Sequence, residues 1–406
     1  MRFIYIDNNA STQVHREVVE VMRVWTESSS SYGNPHAGHF LGDKSREAID
    51  NARLQVLGTF GISGGWRCVF TSGATESVNF AHKGIVFNLM RRRNEKNKPI
   101  RILTSPVEHG AVDSCLRWLV ELLGADSIRV EKMLVDPHGI IDVQSLRNTL
   151  TNNDFTVDLI TCIHTVAETG AVQPIEEISR IVRESHPNVI FHTDASQSVG
   201  KLENELLVSL SRSCDLITVA GHKFHAPKGV GALLIKNIIG IDPLLHGAGQ
   251  EYGLRGGTEN VAAIVGLGKA CELSKVKPSS DYLESIKSGW NKFSNRLDSA
   301  GIDFRLNSTA PQRSPFTINF SVAGLDAPAL VKSIGNADGI RVCFSAGSAC
   351  HSRGGPSPSK VLQAMGLDPR YSTSGIRLSF GKLNELQDVD EAFTILASYI
   401  ISAIHV

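Results

Sequence analysis

The fold of this chain is indicated most clearly by Ala-Gly-His-Lys-Phe-His-Ala-Pro-Lys-Gly at residues 220–229, which follows the apolar run 214–219. A lysine at the end of an apolar strand is an unusual choice for packing, because burying an ammonium group is costly unless it is neutralised, paired or covalently engaged. A desolvated lysine has a lowered pKa and becomes a usable amine. The segment therefore predicts a chemically active Lys223 at the carboxyl end of a strand.

A second apolar run, residues 190–195, carries the carboxylate of Asp194 near its end. A Schiff base to an aldehyde cofactor satisfies a buried lysine, and a carboxylate is the partner that a pyridinium nitrogen needs. Pyridoxal 5'-phosphate (PLP) requires both groups. Lys223 and Asp194 together therefore predict a PLP enzyme before any substrate is considered.

Length and charge restrict the class of protein. The 406 residues suffice for two domains, and a charged fraction of 20% is ordinary for a soluble globular protein. Lys plus Arg and Asp plus Glu both number 41, so no overall charge favours nucleic acid or an anionic membrane as a partner. The local basic cluster at 91–101 is interpreted as a solvated helix end and linker.

The seven cysteines contain no CxxC motif, which predicts neither a disulfide framework nor a metal site and favours a reducing compartment. Residues 1–7 begin directly with a strand-like pattern and leave no room for a signal peptide. The longest apolar run, 394–406, is too short to span a bilayer. We therefore expect a cytoplasmic protein without membrane association.

Apolar β-rich runs alternate with helical periodicity between residues 15 and 235. The predicted strands are 67–71, 100–105, 158–165, 189–194, 216–220 and 231–236, and the predicted helices include 75–90 and 175–184. Apolar strands separated by helices predict an α/β fold whose mostly parallel sheet is covered on both faces, with ligands bound beyond the carboxyl ends of the strands.

The glycine-rich passage 246–258 interrupts this alternation, and a helix is predicted to begin near residue 259. Strands near 316–321 and 376–379 are mixed with helices in the C-terminal half. We therefore predict a large cofactor-binding domain at 15–260. A smaller α+β domain is predicted from 1–14 and 261–406.

Polar side chains at the strand ends are candidates for the site. The turn at 70–77 exposes backbone N–H groups of Ala74 and its neighbours at a helix N-terminus, and Thr75 adds a hydroxyl. These donors suit a phosphate, and an ordinary helix cap is the alternative. His109 follows the next strand and can stack on a cofactor ring and move protons, or it is a structural histidine. His222 can donate to the phosphate or stabilise a turn.

Two further positions lie beside these motifs. Gln197 can hold the phenolic oxygen of the ring, or it is a polar residue at a helix start. Arg377, a charged residue inside an apolar strand, can grip a substrate carboxylate with two hydrogen bonds; a buried salt bridge is the competing explanation.

Cys350 lies in a loop of small residues at 345–358. Small residues keep the backbone mobile and the sulfur accessible, and the adjacent His351 and Arg353 favour the thiolate. A structural cysteine is more often found in an apolar element, as Cys162 is. Cys350 is therefore predicted to be reactive.

Taken together, these segments resemble the cysteine desulfurase and selenocysteine lyase family of class V, fold-type-I PLP enzymes. The resemblance covers nearly the whole chain and begins at Tyr-Ile-Asp-Asn-Asn-Ala-Ser-Thr, residues 5–12. The other matching motifs are 33–36, 71–77, 108–109, 194–198, 221–223, 255–260, 345–350 and 377–379.

The resemblance implies a role for each candidate. Lys223 forms the Schiff base, Asp194 contacts the pyridine nitrogen, Gln197 contacts the phenolate and His109 stacks on the ring. The phosphate is held by the Ala74 amide, Thr75 and His222, with Thr258 reaching across from a partner subunit, which implies a homodimer. Arg377 takes the substrate carboxylate, and Cys350 receives the sulfur.

Two positions depart from the family pattern. Ala167 stands where the family usually has an Asn that touches the phenolic oxygen, so one hydrogen bond of about 0.5–1.5 kcal/mol is missing and space opens near the substrate. Ala220 stands where many members have a phosphate-binding Ser. Neither change removes Lys223, so we expect cofactor binding to survive.

The expected activity is removal of sulfur from L-cysteine, which gives L-alanine and a persulfide on Cys350, from which an acceptor protein would take the sulfur. Selenocysteine lyase, or cleavage of a larger cysteine S-conjugate, is the alternative that keeps the cofactor. A non-catalytic scaffold on a degenerate fold is a third hypothesis, motivated by Ala167 and Ala220, and it predicts a colourless protein.

Overall fold

The computed structural model describes residues 2–93, 98–151, 156–336, 339–347 and 358–405. Cys350 and its neighbours at 348–357 lie outside these described residues. The elements in chain order are β1 (Arg2–Tyr5), α1 (Arg16–Glu27), α2 (Phe40–Thr59), β2 (Trp66–Thr71), α3 (Ala74–Arg92), β3 (Ile100–Thr104), α4 (Gly110–Leu123), β4 (Ile128–Lys132), α5 (Val143–Leu150), β5 (Leu159–Thr161), α6 (Ile175–Ser185), β6 (Ile190–Asp194), α7 (Asn204–Ser213), β7 (Leu216–Ala220), β8 (Gly231–Lys236), α8 (Val261–Ser274), α9 (Ser280–Ser299), β9 (Phe304–Leu306), β10 (Thr317–Val322), α10 (Ala327–Gly335), β11 (Ile340–Cys343), β12 (Ser345–Ala346), α11 (Lys360–Ala364), α12 (Pro369–Ser372), β13 (Gly375–Ser379) and α13 (Leu386–His405).

A seven-stranded sheet with the order β2-β8-β7-β6-β5-β3-β4 occupies the N-terminal half of the molecule. Only β8 runs antiparallel to its neighbours, β2 and β7, and the remaining pairs are parallel. Leu216 packs with α3 and α4 on one face, whereas Ile217 packs with α2, α6, α7 and α8 on the other. Consecutive strand residues point to opposite faces, so both faces are covered by helices. The predicted α/β class with a mostly parallel sheet is confirmed.

The strand boundaries agree with the apolar runs except at β5. The prediction of a strand over 158–165 is wrong beyond Thr161, where the pairing with β3 ends. The Ile163 N–H donates to Glu108 Oε1 at 2.6 Å, although the Cys162 and His164 N–H groups still donate to carbonyls of β6. The buried Glu108 carboxylate, in the loop between β3 and α4, thus takes the donor that would extend the pairing of β5 with β3.

The C-terminal half is built on a four-stranded antiparallel sheet with the order β12-β13-β10-β9. Helices α9 and α13 pack against it through an aromatic core that includes Phe293, Phe320 and Phe393. The N-terminal strand β1 pairs in parallel with β11. Helix α8 packs on α1 and α2, and the predicted domain boundary at residue 260 stays a prediction.

In the part of the chain that the structure describes, no helix is both long enough and apolar enough to cross a membrane.

Candidate active site

Two adjoining cavities lie at the carboxyl ends of the parallel strands, where the sequence predicts the site. The first, which we call the cofactor cavity, has a volume of about 450 Å³. It brings together the predicted residues Ala74, Thr75, His109, Asp194, Gln197, His222 and Lys223. The second, the substrate cavity, has a volume of about 250 Å³ and is lined by Arg377 together with His109 and Lys223. Thr258 lines neither cavity, and Cys350 lies outside the described residues.

The N-terminus of α3 forms one wall of the cofactor cavity. Gly73 precedes the helix with φ of 149°, a conformation that side chains rarely adopt, and no side chain caps the first N–H groups. The start of β8 approaches closely, since a Cβ on Gly231 would lie 2.8 Å from the Gly73 Cα. The free N–H groups and the helix dipole make this wall suitable for an anion.

Glu76 and Arg255 brace the same helix end. The Arg255 Nε donates to Glu76 Oε1 at 2.9 Å, and Glu76 Oε2 accepts from the Ser72 N–H at 2.9 Å. Burial alone would raise the pKa of Glu76, but the hydrogen bonds from Arg255 and Ser72 lower it below its usual value. The glycine-rich passage that carries Thr258 is thus tied to the helix start.

Asp194 and Lys223 face this cavity from the ends of β6 and of the short helical turn after β7. The Asp194 side chain is buried, and its Oδ1 accepts from the Ser196 N–H at 2.9 Å. The Lys223 Nζ donates to the backbone carbonyls of Asn9 at 2.7 Å and of Ala10 at 2.9 Å. These two backbone carbonyls hold the amine at the wall of the cavity.

The two histidines of the cofactor cavity are held in their neutral forms. Burial lowers the pKa of His109, with Asp194 opposing and Lys223 reinforcing the shift. Its Nδ1 accepts from the Ala111 N–H at 3.2 Å, so the proton of the neutral ring lies on Nε2. Burial, followed by the charges of Lys223 and nearby cations, lowers the pKa of His222 to about 4.

Arg377 makes the salt bridge that was the competing explanation for its position. Its Nη2 donates to Asp7 Oδ1 at 2.9 Å and to Ser345 Oγ at 3.1 Å, and its Nη1 donates to the Ala167 carbonyl at 3.3 Å. The side chain also lines the substrate cavity, and its Nε has no hydrogen-bond partner among the described residues. Arg377 can therefore hold Asp7 and still offer a donor to a bound carboxylate.

The two departures from the family pattern lie at the cavity walls. Ala167 lines both cavities, and its carbonyl accepts from Asn9 Nδ2 at 3.1 Å. Ala220 ends β7, is fully buried and lines the cofactor cavity. The missing polar groups therefore face the space where a cofactor would bind.

Three residues of the site have no role in the sequence prediction. Asn9 lies in the quoted motif 5–12 and bonds to Lys223, Gln197 and Lys201. Its position in that motif was the available signal. Lys201 lies four residues after Gln197, among small and apolar residues. A lysine in such a run was the available signal.

Glu108, the third, lies beside His109 and lines the substrate cavity. Burial raises the pKa of Glu108 well above its usual value, against the lowering effect of the Ile163 N–H, and its Oε2 has no partner among the described residues. Its only sequence signal is its place next to His109.

The chain is similar to known proteins over nearly its whole length. The Aminotransferase class-V family model matches residues 4–392. The cysteine desulfurase of Trichormus azollae is 36% identical over 400 residues, covering 98% of this chain and 92% of the relative. The cysteine desulfurase IscS of Methanosarcina thermophila is 36% identical over 396 residues, covering 97% and 91%.

The chain is also similar to solved structures over nearly its whole length. A NifS-like protein superposes with a TM-score of 0.82 at 30% identity, covering 98% of this chain and 99% of that one. The structure of SspA in complex with cysteine gives a TM-score of 0.74 at 31% identity, covering 94% and 99%. The family predicted from the motifs is confirmed: the chain belongs to the class-V aminotransferase family, together with the cysteine desulfurases.

Proposed function

We propose that this protein is a homodimeric, PLP-dependent cysteine desulfurase of the cytoplasm, which converts L-cysteine to L-alanine and leaves the sulfur as a persulfide on Cys350. The observation that carries this proposal is the convergence of Lys223, Asp194, His109 and the α3 N-terminus on one cavity. Relatives at 36% identity that carry the name cysteine desulfurase support the same reaction.

The residues of the cofactor cavity fit PLP. The uncapped N-terminus of α3 suits the phosphate, the Asp194 carboxylate suits the ring nitrogen, and the Lys223 amine suits the aldehyde. The buried Ser196 Oγ lines this cavity without a partner among the described residues. Thr258 of a partner subunit would complete the phosphate site. When bound, PLP supplies an electron sink for the substrate Cα.

The chain's own residues perform the remaining steps. Arg377 orients the substrate carboxylate, and Lys223 moves the Cα proton. The Cys350 thiolate attacks the substrate sulfur, so a sulfur–sulfur bond forms, the carbon–sulfur bond breaks, and its electron pair stays on carbon. Cβ then receives a proton, and His109, which lines both cavities, is the residue placed to deliver it. An acceptor protein would remove the persulfide sulfur.

The reactivity assigned to Cys350 is supported by contrast with the other cysteines. Among the six described cysteines, Cys343 alone is not buried. Burial raises the pKa of Cys343, as it does for buried thiols such as Cys115, whose pKa is raised to about 11. Thiols of this kind are poor nucleophiles at neutral pH.

The experiment measures alanine released from L-cysteine in the presence of a reducing thiol. Cys350→Ala should lower alanine formation at least about a hundredfold, while Cys343→Ala is the matched control and should keep the activity. Borohydride reduction of the PLP-loaded protein should label the peptide that contains Lys223. Undiminished turnover by Cys350→Ala refutes the persulfide role, and an unlabelled Lys223 refutes the PLP reaction.

A larger or selenium-containing substrate is the second candidate, because Ala167, whose side chain is small, lines both cavities. Rates with cysteine, selenocysteine and a cysteine sulfoxide conjugate should be compared in the wild type and in Ala167→Asn. A conjugate that is preferred only while Ala167 is present supports this candidate, whereas a preference for cysteine in both proteins excludes it.

A further inference from the structure

Lys201 is a buried lysine next to the site, whereas Lys223 is only partly buried, and Lys201 reaches the cofactor cavity only through other residues. It is 9% exposed and does not line that cavity. Its Nζ donates to Asn9 Oδ1 at 2.7 Å and to Gln197 Oε1. Both acceptors are amide oxygens. A buried lysine bonded to two neutral amides is unusual, because such a group is normally paired with a carboxylate.

The directions of these hydrogen bonds are fixed by backbone carbonyls, which can only accept. Asn9 Nδ2 donates to the Ala167 carbonyl at 3.1 Å and to Thr317 Oγ1 at 3.0 Å, so the Asn9 Oδ1 must face Lys201. Gln197 Nε2 donates to the Asn9 carbonyl at 2.9 Å, so the Gln197 Oε1 must also face Lys201. Lys201 is thus the donor that satisfies both amide oxygens.

We propose that Lys201 is a positioning residue, which fixes the Gln197 amide so that Nε2 rather than Oε1 is presented to the cofactor cavity. This inference rests on the proposed function, in which Gln197 contacts the phenolic oxygen of PLP. Nε2 carries two N–H groups, and Asn9 uses one, which leaves the other for the phenolic oxygen. Because Ala167 offers no side-chain donor there, the orientation of Gln197 matters more in this chain.

The charges around Lys201 favour this role. Burial lowers the pKa of Lys201 well below its usual value, the charges of Lys223 and Arg377 lower it further, and Asp7 raises it. Two nearby histidines, His222 and His225, have pKa values that burial lowers most and that a positive charge on Lys201 would lower further. A neutral amine has two hydrogens to donate, which match the two amide oxygens, and it adds no second positive charge beside Lys223.

The test is a pH titration of the visible absorbance of the PLP-loaded protein. An external donor to the phenolic oxygen weakens its hold on the proton that it shares with the Lys223 nitrogen. Loss of that donor should therefore raise the midpoint of the titration, by up to about one pH unit. Lys201→Met should show this rise. Lys382→Met is the matched control, because the Lys382 Nζ bonds to the Ser274 and Val276 carbonyls and should leave the midpoint unchanged.

A double-variant comparison separates positioning from general damage. Gln197→Leu should raise the midpoint by itself, and adding Lys201→Met in that background should produce no further rise. If Lys201→Met does not fold, Lys201→Leu also removes the donor with a shorter side chain and supplies the same measurement.

The outcomes separate this inference from the proposed function. Three outcomes overturn the role of Lys201 alone. They are an unchanged midpoint in a folded Lys201 variant, a rise from Lys201→Met that is as large in the Gln197→Leu background as in the wild type, and a rise in Lys382→Met as large as in Lys201→Met. A wild-type protein that takes up no PLP overturns both.

Discussion

His82 should make the stability of the protein fall in mildly acidic solution. It lies in α3 and is fully buried, with its ring edge-on to His192 at a centroid distance of 4.9 Å. Its Nδ1 donates to the Val78 carbonyl at 2.7 Å, and its Nε2 has no partner among the described residues. Protonation of Nε2 would therefore place a charged donor in an apolar environment without an acceptor.

The size of the effect follows from the pKa. Burial lowers the pKa of His82 from 6.5 to about 4, against a smaller raising effect of the Val78 hydrogen bond. A histidine whose pKa is lowered in the folded state stabilises the protein fully above pH 6.5, and this contribution is lost as the pH falls towards 4. At pH 5 the lost free energy of unfolding is about 2 kcal/mol.

The assay is urea unfolding at pH 7 and pH 5. In the wild type the free energy of unfolding should fall over this interval, and in His82→Phe the fall should be smaller by about 2 kcal/mol, because a phenyl ring fills the space without titrating. His405→Phe changes an exposed histidine and should leave the pH dependence unaltered. If His82→Phe and the wild type lose equal stability between the two pH values, His82 is not held neutral by burial and the reasoning is refuted.

Two further predictions concern the segments that shape the cofactor cavity. Arg53→Met should lower the free energy of unfolding by about 3–5 kcal/mol, measured with denaturant, because it leaves the Glu251 carboxylate, 1% exposed, without its cation. Adding Glu251→Gln should restore part of that loss, and a double variant that is less stable than Arg53→Met contradicts the argument. Gly73→Ala should raise the Kd for PLP about tenfold, measured by titrating the cofactor-free protein with PLP. This is the loss expected from one hydrogen bond to a charged group. Gly124→Ala is strained in the same way at φ of 80°, lies at the end of α4, and should leave that Kd unchanged.

The parts of the molecule that the sequence predicts well are those in which local pattern and packing agree. The strand β7 has the predicted bounds, because a continuous apolar run of this length is typical of a strand covered on both faces. Asp194 and Lys223 follow such runs, so the topology of a parallel sheet brings them to one edge. The early end of β5 could not be predicted, because it depends on the Glu108 carboxylate, 55 positions away from Ile163 in the chain.

The contacts that hold the site together are the ones that the sequence leaves undetermined. Arg377 and Asp7 are separated by 370 positions, and neither lies in a periodic pattern that would indicate the other. The isolated pairing of Asp7 with Ser379 carries the N-terminal segment across β13, and this pairing brings Asn9 to Lys223, Gln197 and Lys201. Motifs therefore predict which residues react, whereas the long-range pairing of the N-terminal segment decides how those residues are oriented. A change in residues 5–12 should consequently alter the cofactor environment even where it leaves every predicted catalytic side chain in place.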